Sequence, residues 1–278
     1  MGKSKMIGFI GAGNMGEALI AGLLKAHFAA PDRLMAFDSD GARLRFIQKK
    51  YGIKKASGNR QICSQCDPIL LCVKPQSMKE VIEEISESLD ASKLLISIAA
   101  GVPLYVIEAY ARRQLRLIRV MPNIAVLVQE GASVMSPGSL ATQADLEIAK
   151  DIFDCVGKSI AVSESLMDAV TGLSGSGPAY VFLVIEALSD AGVHLGMTRA
   201  QALMLSTQTV MGSVKLLLET GEHPALLREK VTSPGGTTAA GLYKLEQGGL
   251  RKILIDAVRA AAQRSKALGK KVKQESPS

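Results

Sequence analysis

The chain has 278 residues, 47% apolar, 21% charged and 4% aromatic, with 26 Gly, 10 Pro and no Trp. That length and a mean hydropathy of +0.20 exclude a disulfide miniprotein, a collagen-like repeat and a disordered chain. The balance of 33 basic and 26 acidic residues gives +7, of which Lys266, Lys270, Lys271 and Lys273 against Glu275 supply +3; no Arg/aromatic block marks a nucleic-acid surface, and none is expected as a partner.

Apolar runs at 6–10, 34–37, 69–73, 94–98 and 115–120, most of them continuous rather than alternating, predict strands buried on both faces, the pattern of a parallel sheet covered by helices. A weaker strand is expected near 54–56. The intervening segments 14–26, 40–50, 76–89 and 103–112 carry helical periodicity. Past Pro122, short apolar pieces at 132–135 and 159–162 flank a helix at 142–154. From about 170 onward the pattern changes to helices alone, over 178–195, 198–219, 223–230, 237–247 and 250–268. The fold class is therefore α/β: a doubly wound Rossmann-type parallel sheet over 1–164, an all-helical segment over 165–268 and a flexible basic tail over 269–278. Segments 178–195 and 198–219 are apolar around much of their circumference, which predicts burial against a second subunit.

Gly11-Ala12-Gly13-Asn14-Met15-Gly16 matches G-x-G-x-x-G between a strand and a helix. In that setting Gly11 makes the tight turn, Gly13 admits a pyrophosphate, and Gly16 lets helix and strand pack closely. Asp38 closes the second strand, where a carboxylate accepts from an adenosine ribose and repels a 2′-phosphate. Ser39, Arg43 and Arg45 follow at once, and an arginine there suits NADP(H) instead. A plain helix-capping role for Asp38 is the other alternative. Val73-Lys74-Pro75, Ala99-Ala100-Gly101 and Met121-Pro122-Asn123 end later strands on the same side of the sheet, which makes Val73, Lys74, Pro75, Ala99 and Asn123 candidate cofactor contacts.

Two further turns introduce helices. Leu173-Ser174-Gly175-Ser176-Gly177-Pro178 offers hydroxyls and amides, but neither serine completes G-x-S-x-G and no strand precedes it, which disfavours a serine hydrolase. Ser233-Pro234-Gly235-Gly236-Thr237-Thr238 sets exposed amides and two hydroxyls at a helix start, a natural cradle for a carboxylate. Cys63-x-x-Cys66 has no second ligand pair, and His27, His194 and His223 are scattered, so no metal site is expected. Asn14 and Glu17 interrupt the N-terminal apolar run, Met6 stands where a myristoylation signal wants Ser or Thr, and no run is long enough to span a bilayer. The chain is expected in the cytoplasm, with no membrane partner.

Taken together and in order, Phe9–Met15, Val73-Lys74-Pro75, Ser97–Val102, Met121-Pro122-Asn123, Leu173–Tyr180, Glu222-His223-Pro224, Ser233–Thr238 and Leu245–Gly249 resemble the pyrroline-5-carboxylate reductases over nearly the whole chain. The resemblance implies reduction of L-1-pyrroline-5-carboxylate to L-proline with NADPH or NADH, and a homodimer through the C-terminal helices, often five dimers forming a decamer. It also implies that Val231, Gly236, Thr237 and Thr238 line the substrate pocket, with Thr238 the candidate catalytic residue near the imine nitrogen and Ser174 and Ser176 among the substrate contacts. Two departures stand out. Ile124-Ala125 replaces the Thr-Pro common in the family, and Gly221 stands where some members carry an acid. Another NAD(P)-dependent imine or β-hydroxyacid reductase is the alternative enzyme, but residues 171–195 lack the Lys that the hydroxyacid class requires. A non-enzymatic dinucleotide sensor is the alternative outside catalysis.

Overall fold

The computed structural model describes residues 6–274, with side chains to 270. Its eight strands are β1 (Met6–Ile10), β2 (Leu34–Phe37), β3 (Lys54–Lys55), β4 (Cys66–Leu71), β5 (Leu94–Ser97), β6 (Arg116–Met121), β7 (Gly131–Pro137) and β8 (Gly157–Ala161). They form one sheet in the order β3-β2-β1-β4-β5-β6-β7-β8. Strands β1 to β6 are mutually parallel, β7 runs antiparallel to β6, and β8 is parallel to β7. The order reverses on passing from β2 through β1 to β4, so the crevice beyond the carboxyl ends of β1 and β4 is the topological switch point.

The helices of this region are α1 (Asn14–Lys25), α2 (Gly41–Tyr51), α3 (Asn59–Gln65), α4 (Met78–Ile85), α5 (Leu104–Ala111), α6 (Gln143–Asp154) and the single turn α7 (Met167–Val170). They divide between the two faces of the sheet. Ile7, Phe9, Ala36, Leu70, Ile96 and Val120 pack against Leu19 and Leu23 of α1, Ile47 of α2 and Phe153 of α6. Their neighbours along the same strands, Ile10, Met35, Leu71, Leu95 and Leu117, face Ile62 of α3, Ile82 of α4 and Ile107 of α5. Because successive side chains point to opposite faces, covering both faces requires apolar residues without interruption.

Helix α3 is absent from the sequence expectations. It is one short element that buries only Asn59, Ile62 and Cys63, too few positions to show a helical period. The reversal at β7 is equally invisible, since apolar pattern records burial and carries no strand direction. Strand β4 starts three residues earlier than expected, at Cys66, and ends at Leu71.

Close approach fixes several glycines. A Cβ on Gly157, whose φ is +149°, would stand 2.0 Å from the Gly131 carbonyl oxygen where β7 and β8 begin. Helices α1 and α2 are joined by Glu17, which accepts from Lys50 Nζ at 2.9 Å and from the Tyr51 hydroxyl at 2.8 Å and pairs with Arg43. Burial raises the Glu17 pKa, but these donors outweigh it and hold the carboxyl below its ordinary 4.5.

The remaining helices are α8 (Gly177–His194), α9 (Arg199–Thr220), α10 (Pro224–Lys230), α11 (Thr237–Gln247) and α12 (Leu250–Gln274). Residues 177–259 form a second compact unit, while 260–274 return to the first with residues 6–176. Ser265 Oγ, for example, donates to Asp168 Oδ1 at 2.7 Å. The contacts thus divide the chain at 176/177 and 259/260, where the sequence pattern places the change at 164/165. The last helix also runs on to Gln274, so residues 269–274 are helical where a flexible tail was expected; 275–278 lie outside the described residues. Within the second unit α8 and α9 pack through small residues. A Cβ on Gly192 would stand 2.9 Å from the Ala202 Cβ. Their apolar faces stay largely exposed, with Phe182 at 61%, Leu183 at 65% and Leu218 at 78%.

Two outcomes test this packing. Gly157→Ala should cost about 3 kcal/mol of stability in urea unfolding, from steric overlap plus a left-handed φ. Glu17 stabilises fully above pH 4.5 and loses that contribution as pH falls through its lowered folded-state value. Glu17→Gln should therefore unfold more easily at pH 7, and its deficit in urea midpoint should shrink below pH 4.5.

Candidate active site

A cleft of about 720 Å³ lies at the switch point, lined by Gly11, Gly13 and Asn14, by Asp38, Ser39, Asp40 and Arg43, by Val73 and Lys74, and by Asn59, Glu80 and Glu84. Gly11 turns the chain with φ +93°, and a Cβ there would press within 2.8 Å of the Cys72 carbonyl oxygen. On Gly16 a Cβ would sit 2.7 Å from the Gly11 carbonyl oxygen, whereas on Gly13 it would meet nothing within 4 Å. Gly11 and Gly16 are therefore needed by the fold, and Gly13 keeps clear a space that the protein itself does not fill. Gly13 is also the N-cap of α1 and provides no side-chain cap, leaving first-turn amides and the positive end of the helix dipole available to an anion.

Asp38 joins this turn to β2. Its Oδ2 accepts from Ala12 N at 2.7 Å and its Oδ1 from Asp40 N at 2.9 Å. Helix capping falls instead to Asp40, whose Oδ1 accepts from Ala42 N and Arg43 N. Arg43 folds back over the turn, donating through Nε to the Ala12 carbonyl at 2.7 Å and pairing with Glu17. On the far wall Asn59 Nδ2 donates to Glu84 Oε2 at 2.7 Å, while Asn59 Oδ1 is buried without a partner. Asn59, Ser77, Glu80 and Glu84 were not foreseen, because they reach the cleft from α3 and the segment after β4 by folding alone.

The other expected residues lie elsewhere. Ala12, Met15, Gly16 and Pro75 do not line the cleft, although Ala12 and Gly16 shape the turn. Ala99 is buried, its amide held by Ser97 Oγ at 3.4 Å. Asn123 acts as an internal bracket. Its Oδ1 accepts from Ala125 N and Ala132 N, and its Nδ2 donates to the Ser174 carbonyl at 3.1 Å. Ala125, in the place of a family proline, thus supplies an N–H that proline lacks, and through it Asn123 caps the turn Ile124–Val128. Ser174 Oγ bonds back to the Val170 carbonyl, and Ser176 N to the Thr171 carbonyl.

Val231, Gly236, Thr237 and Thr238 belong to the second unit. Gly235 turns the chain with φ +68°, and a Cβ on Gly236 would meet Ser233 Oγ at 2.3 Å. Gly236 caps α11 without a side chain, so the first amides of that helix lack a capping partner, as a carboxylate cradle requires. Gly221 ends α9 with φ +64°, a left-handed cap that an acidic side chain at that position would strain.

The Cys63 and Cys66 thiols are poor nucleophiles, because burial pushes Cys63 up to about 12 and Cys66 up to about 11 and leaves both protonated.

A mostly parallel sheet whose first strand ends in this glycine turn, with an uncapped helix behind it, defines a dinucleotide-binding protein of the Rossmann class. Residues 164–268 match the sequence model described as pyrroline-5-carboxylate reductase dimerisation, and residues 6–101 the one described as NADP oxidoreductase, coenzyme F420-dependent. A pyrroline-5-carboxylate reductase of Methanosarcina acetivorans is 48% identical over 97% of this chain and 100% of that protein. The solved pyrroline-5-carboxylate reductase of Coxiella burnetii superimposes with a TM-score of 0.92 at 37% identity, covering 96% of this chain and 99% of that one. A Plasmodium falciparum pyrroline carboxylate reductase with NADP bound gives a TM-score of 0.85 at 35% identity, over 95% and 98% of the two chains. The chain belongs to the pyrroline-5-carboxylate reductase family.

Gly13 and Gly16 separate binding from folding. Gly13→Ala should leave the thermal midpoint within about 1 °C while weakening NAD(P)H binding roughly ten-fold or more, since its Cβ would occupy the space of the pyrophosphate. Gly16→Ala should lower the midpoint by several degrees, about 1–3 kcal/mol, whatever cofactor is present.

Proposed function

We propose that this protein reduces L-1-pyrroline-5-carboxylate to L-proline, the final step of proline biosynthesis, with NADPH or NADH as the reductant. The observation that carries this reading is the joint presence of an uncapped glycine turn at the switch point and a second uncapped glycine turn at α11, one suited to a pyrophosphate and one to a carboxylate. The reduced nicotinamide supplies the hydride. The protein's own part is to hold the two partners. Gly11, Gly13 and Asn14 receive the pyrophosphate at α1, Asp38 receives the adenosine ribose, and Val73 and Lys74 border the same cleft. Ala12 and Gly16 shape the turn that carries that site, and Asn123 fixes the β6 end.

The first amides of α11, at Gly236, Thr237 and Thr238, hold the substrate carboxylate, with Val231 as apolar lining. Thr238 stabilises the proton on the imine nitrogen, either directly or through water. Positioning of this kind is worth about 7–11 kcal/mol in favourable cases, so no strong side-chain acid is needed for an imine that arrives protonated.

Residues 165–268 serve as the substrate-binding and dimerisation segment. The exposed apolar faces of α8 and α9 support a homodimer through these helices, and five such dimers complete a decamer. Free thiols at Cys63, Cys66, Cys72 and Cys155 suit the reducing cytoplasm. Among the described residues no helix is long and apolar enough to cross a membrane. Neither a membrane nor a nucleic acid is needed as a partner.

Purified protein should oxidise NADH or NADPH only when pyrroline-5-carboxylate is added, with proline as product; absence of turnover with both cofactors would refute the reading. Thr238→Ala should lower kcat by about 10²-fold while the Kd for NAD(P)H changes less than about two-fold. An unchanged kcat would remove Thr238 from the mechanism.

A further inference from the structure

We propose that the protein carries a second ligand site, which takes a protonated phosphate group, with Lys266 and Lys270 as its cations and Asp168 as the acceptor of the phosphate proton. The site goes beyond the reduction above and shares no lining residue with the dinucleotide cleft. It is a cavity of about 320 Å³ within the sheet-bearing unit, bounded by the loop that opens α5, by β6 and by the end of α12. Helix α12 passes close over that loop: a Cβ on Gly269 would stand 3.6 Å from the Gly101 carbonyl oxygen.

The charges of the lining do not cancel. Lys266 and Lys270 border the cavity one helical turn apart, on one face of α12. Further back along this helix Lys252 and Arg259 pair with Asp256, but Lys266 and Lys270 have no ion pair among the described residues. The carboxylates beside them are held by other groups. Glu164 Oε1 accepts from Leu104 N, the first amide of α5, at 3.2 Å and from Arg119 Nη1 at 2.8 Å. Asp168 Oδ1 accepts from Ser265 Oγ at 2.7 Å. Arg119, only 3% exposed, follows Leu117 by two positions on β6, on the face that α5 covers, and Glu164 neutralises it. Two ammonium groups are left against the single charge of Asp168, a balance of +1 that a monoanion completes.

Hydrogen-bonding capacity narrows the choice of anion. Arg119 Nε is a buried donor without a partner, and Glu164 Oε2 a buried acceptor without one. Asp168 Oδ2 likewise has no partner among the described residues. A fitting ligand brings oxygens for the lysines and a proton for a carboxylate. Carboxylates and sulfate carry no proton near neutral pH, and either would meet Asp168 and Glu164 as like charges. Hydrogen phosphate brings both oxygens and a proton, and lysine serves phosphate well as a point charge. The cavity holds about ten times the volume of a water molecule, which suits the monoester of a small metabolite better than bare phosphate.

Isothermal titration of the full chain, with NADH or NADPH present to occupy the glycine turn, tests the site with glycerol 3-phosphate, inorganic phosphate and sulfate. Near pH 6 a phosphate monoester holds about half of its second proton. Glycerol 3-phosphate should there bind about ten-fold more tightly than sulfate. Inorganic phosphate binding better than the ester would identify free phosphate as the occupant. Lys266→Gln combined with Lys270→Gln should weaken phosphate binding about ten-fold or more while the Kd for the dinucleotide stays within about two-fold. Asp168→Asn keeps an acceptor for Ser265 but offers the ligand a donor in place of an acceptor, and should bring sulfate level with phosphate. Should neither dinucleotide bind, Gly13→Ala closes the glycine turn to phosphate and the same titrations read the second site alone. Equal binding of sulfate and phosphate by the parent protein, a phosphate affinity unmoved in the lysine variant, or no phosphate binding at all would overturn the proposal.

Discussion

The carboxylate of Asp38 carries the pairing of β1 with β2 on into the glycine turn, one residue past the Gly11 N to Phe37 carbonyl hydrogen bond. It is the last side chain before the β2-to-α2 connection, and it reaches across to the amide of Ala12 inside the glycine turn. The turn is also held by the Gly11 N to Phe37 carbonyl hydrogen bond and by close packing, with Gly11 pressed on the Cys72 carbonyl and Gly16 on the carbonyl of Gly11. Arg43 then closes over the outside of the turn, and Glu17 anchors Arg43 back to α1. An anion site made of backbone amides is only as accurate as the backbone that carries it. Here that accuracy comes from one carboxylate, one guanidinium and two missing side chains.

Much of this was legible in the sequence. The strands of the sheet announce themselves because burial on two faces leaves no polar positions, as in Ile7–Ile10 and Leu94–Ile96. The glycine turn could be placed because each glycine answers a different steric demand. Helix α3, the antiparallel entry of β7 and the cleft residues Asn59 and Glu84 could not, since each depends on what the chain meets after folding. Asp38 was visible as a ribose acceptor or a helix cap. The sequence could not reveal that its oxygens clamp the turn, or that Arg43 is consumed by Glu17, because both partners lie more than 25 residues away.

The helical unit presents the opposite case. Its helices are read from the sequence nearly to the residue, as with Thr237–Gln247, but what they are for lies outside a single chain. Helices α8 and α9 bury few residues, among them Ser189, Ala202 and Ser206, and leave Phe182, Leu183 and Leu218 in solvent. Such a surface is stable only when covered, so much of the apolar excess in the composition is committed to association rather than to a private core.

The return of residues 260–274 to the sheet-bearing unit bears on how the molecule is made. That unit lacks a part of itself, including the Ser265–Asp168 hydrogen bond, until the whole of Gly177–Arg259 has left the ribosome. The N-terminal region of a nascent chain usually folds as it emerges. Here a sheet assembled early waits, unfinished, for a segment synthesised after the helical unit. Cutting the chain after Ser176 would leave that unit permanently unfinished rather than free.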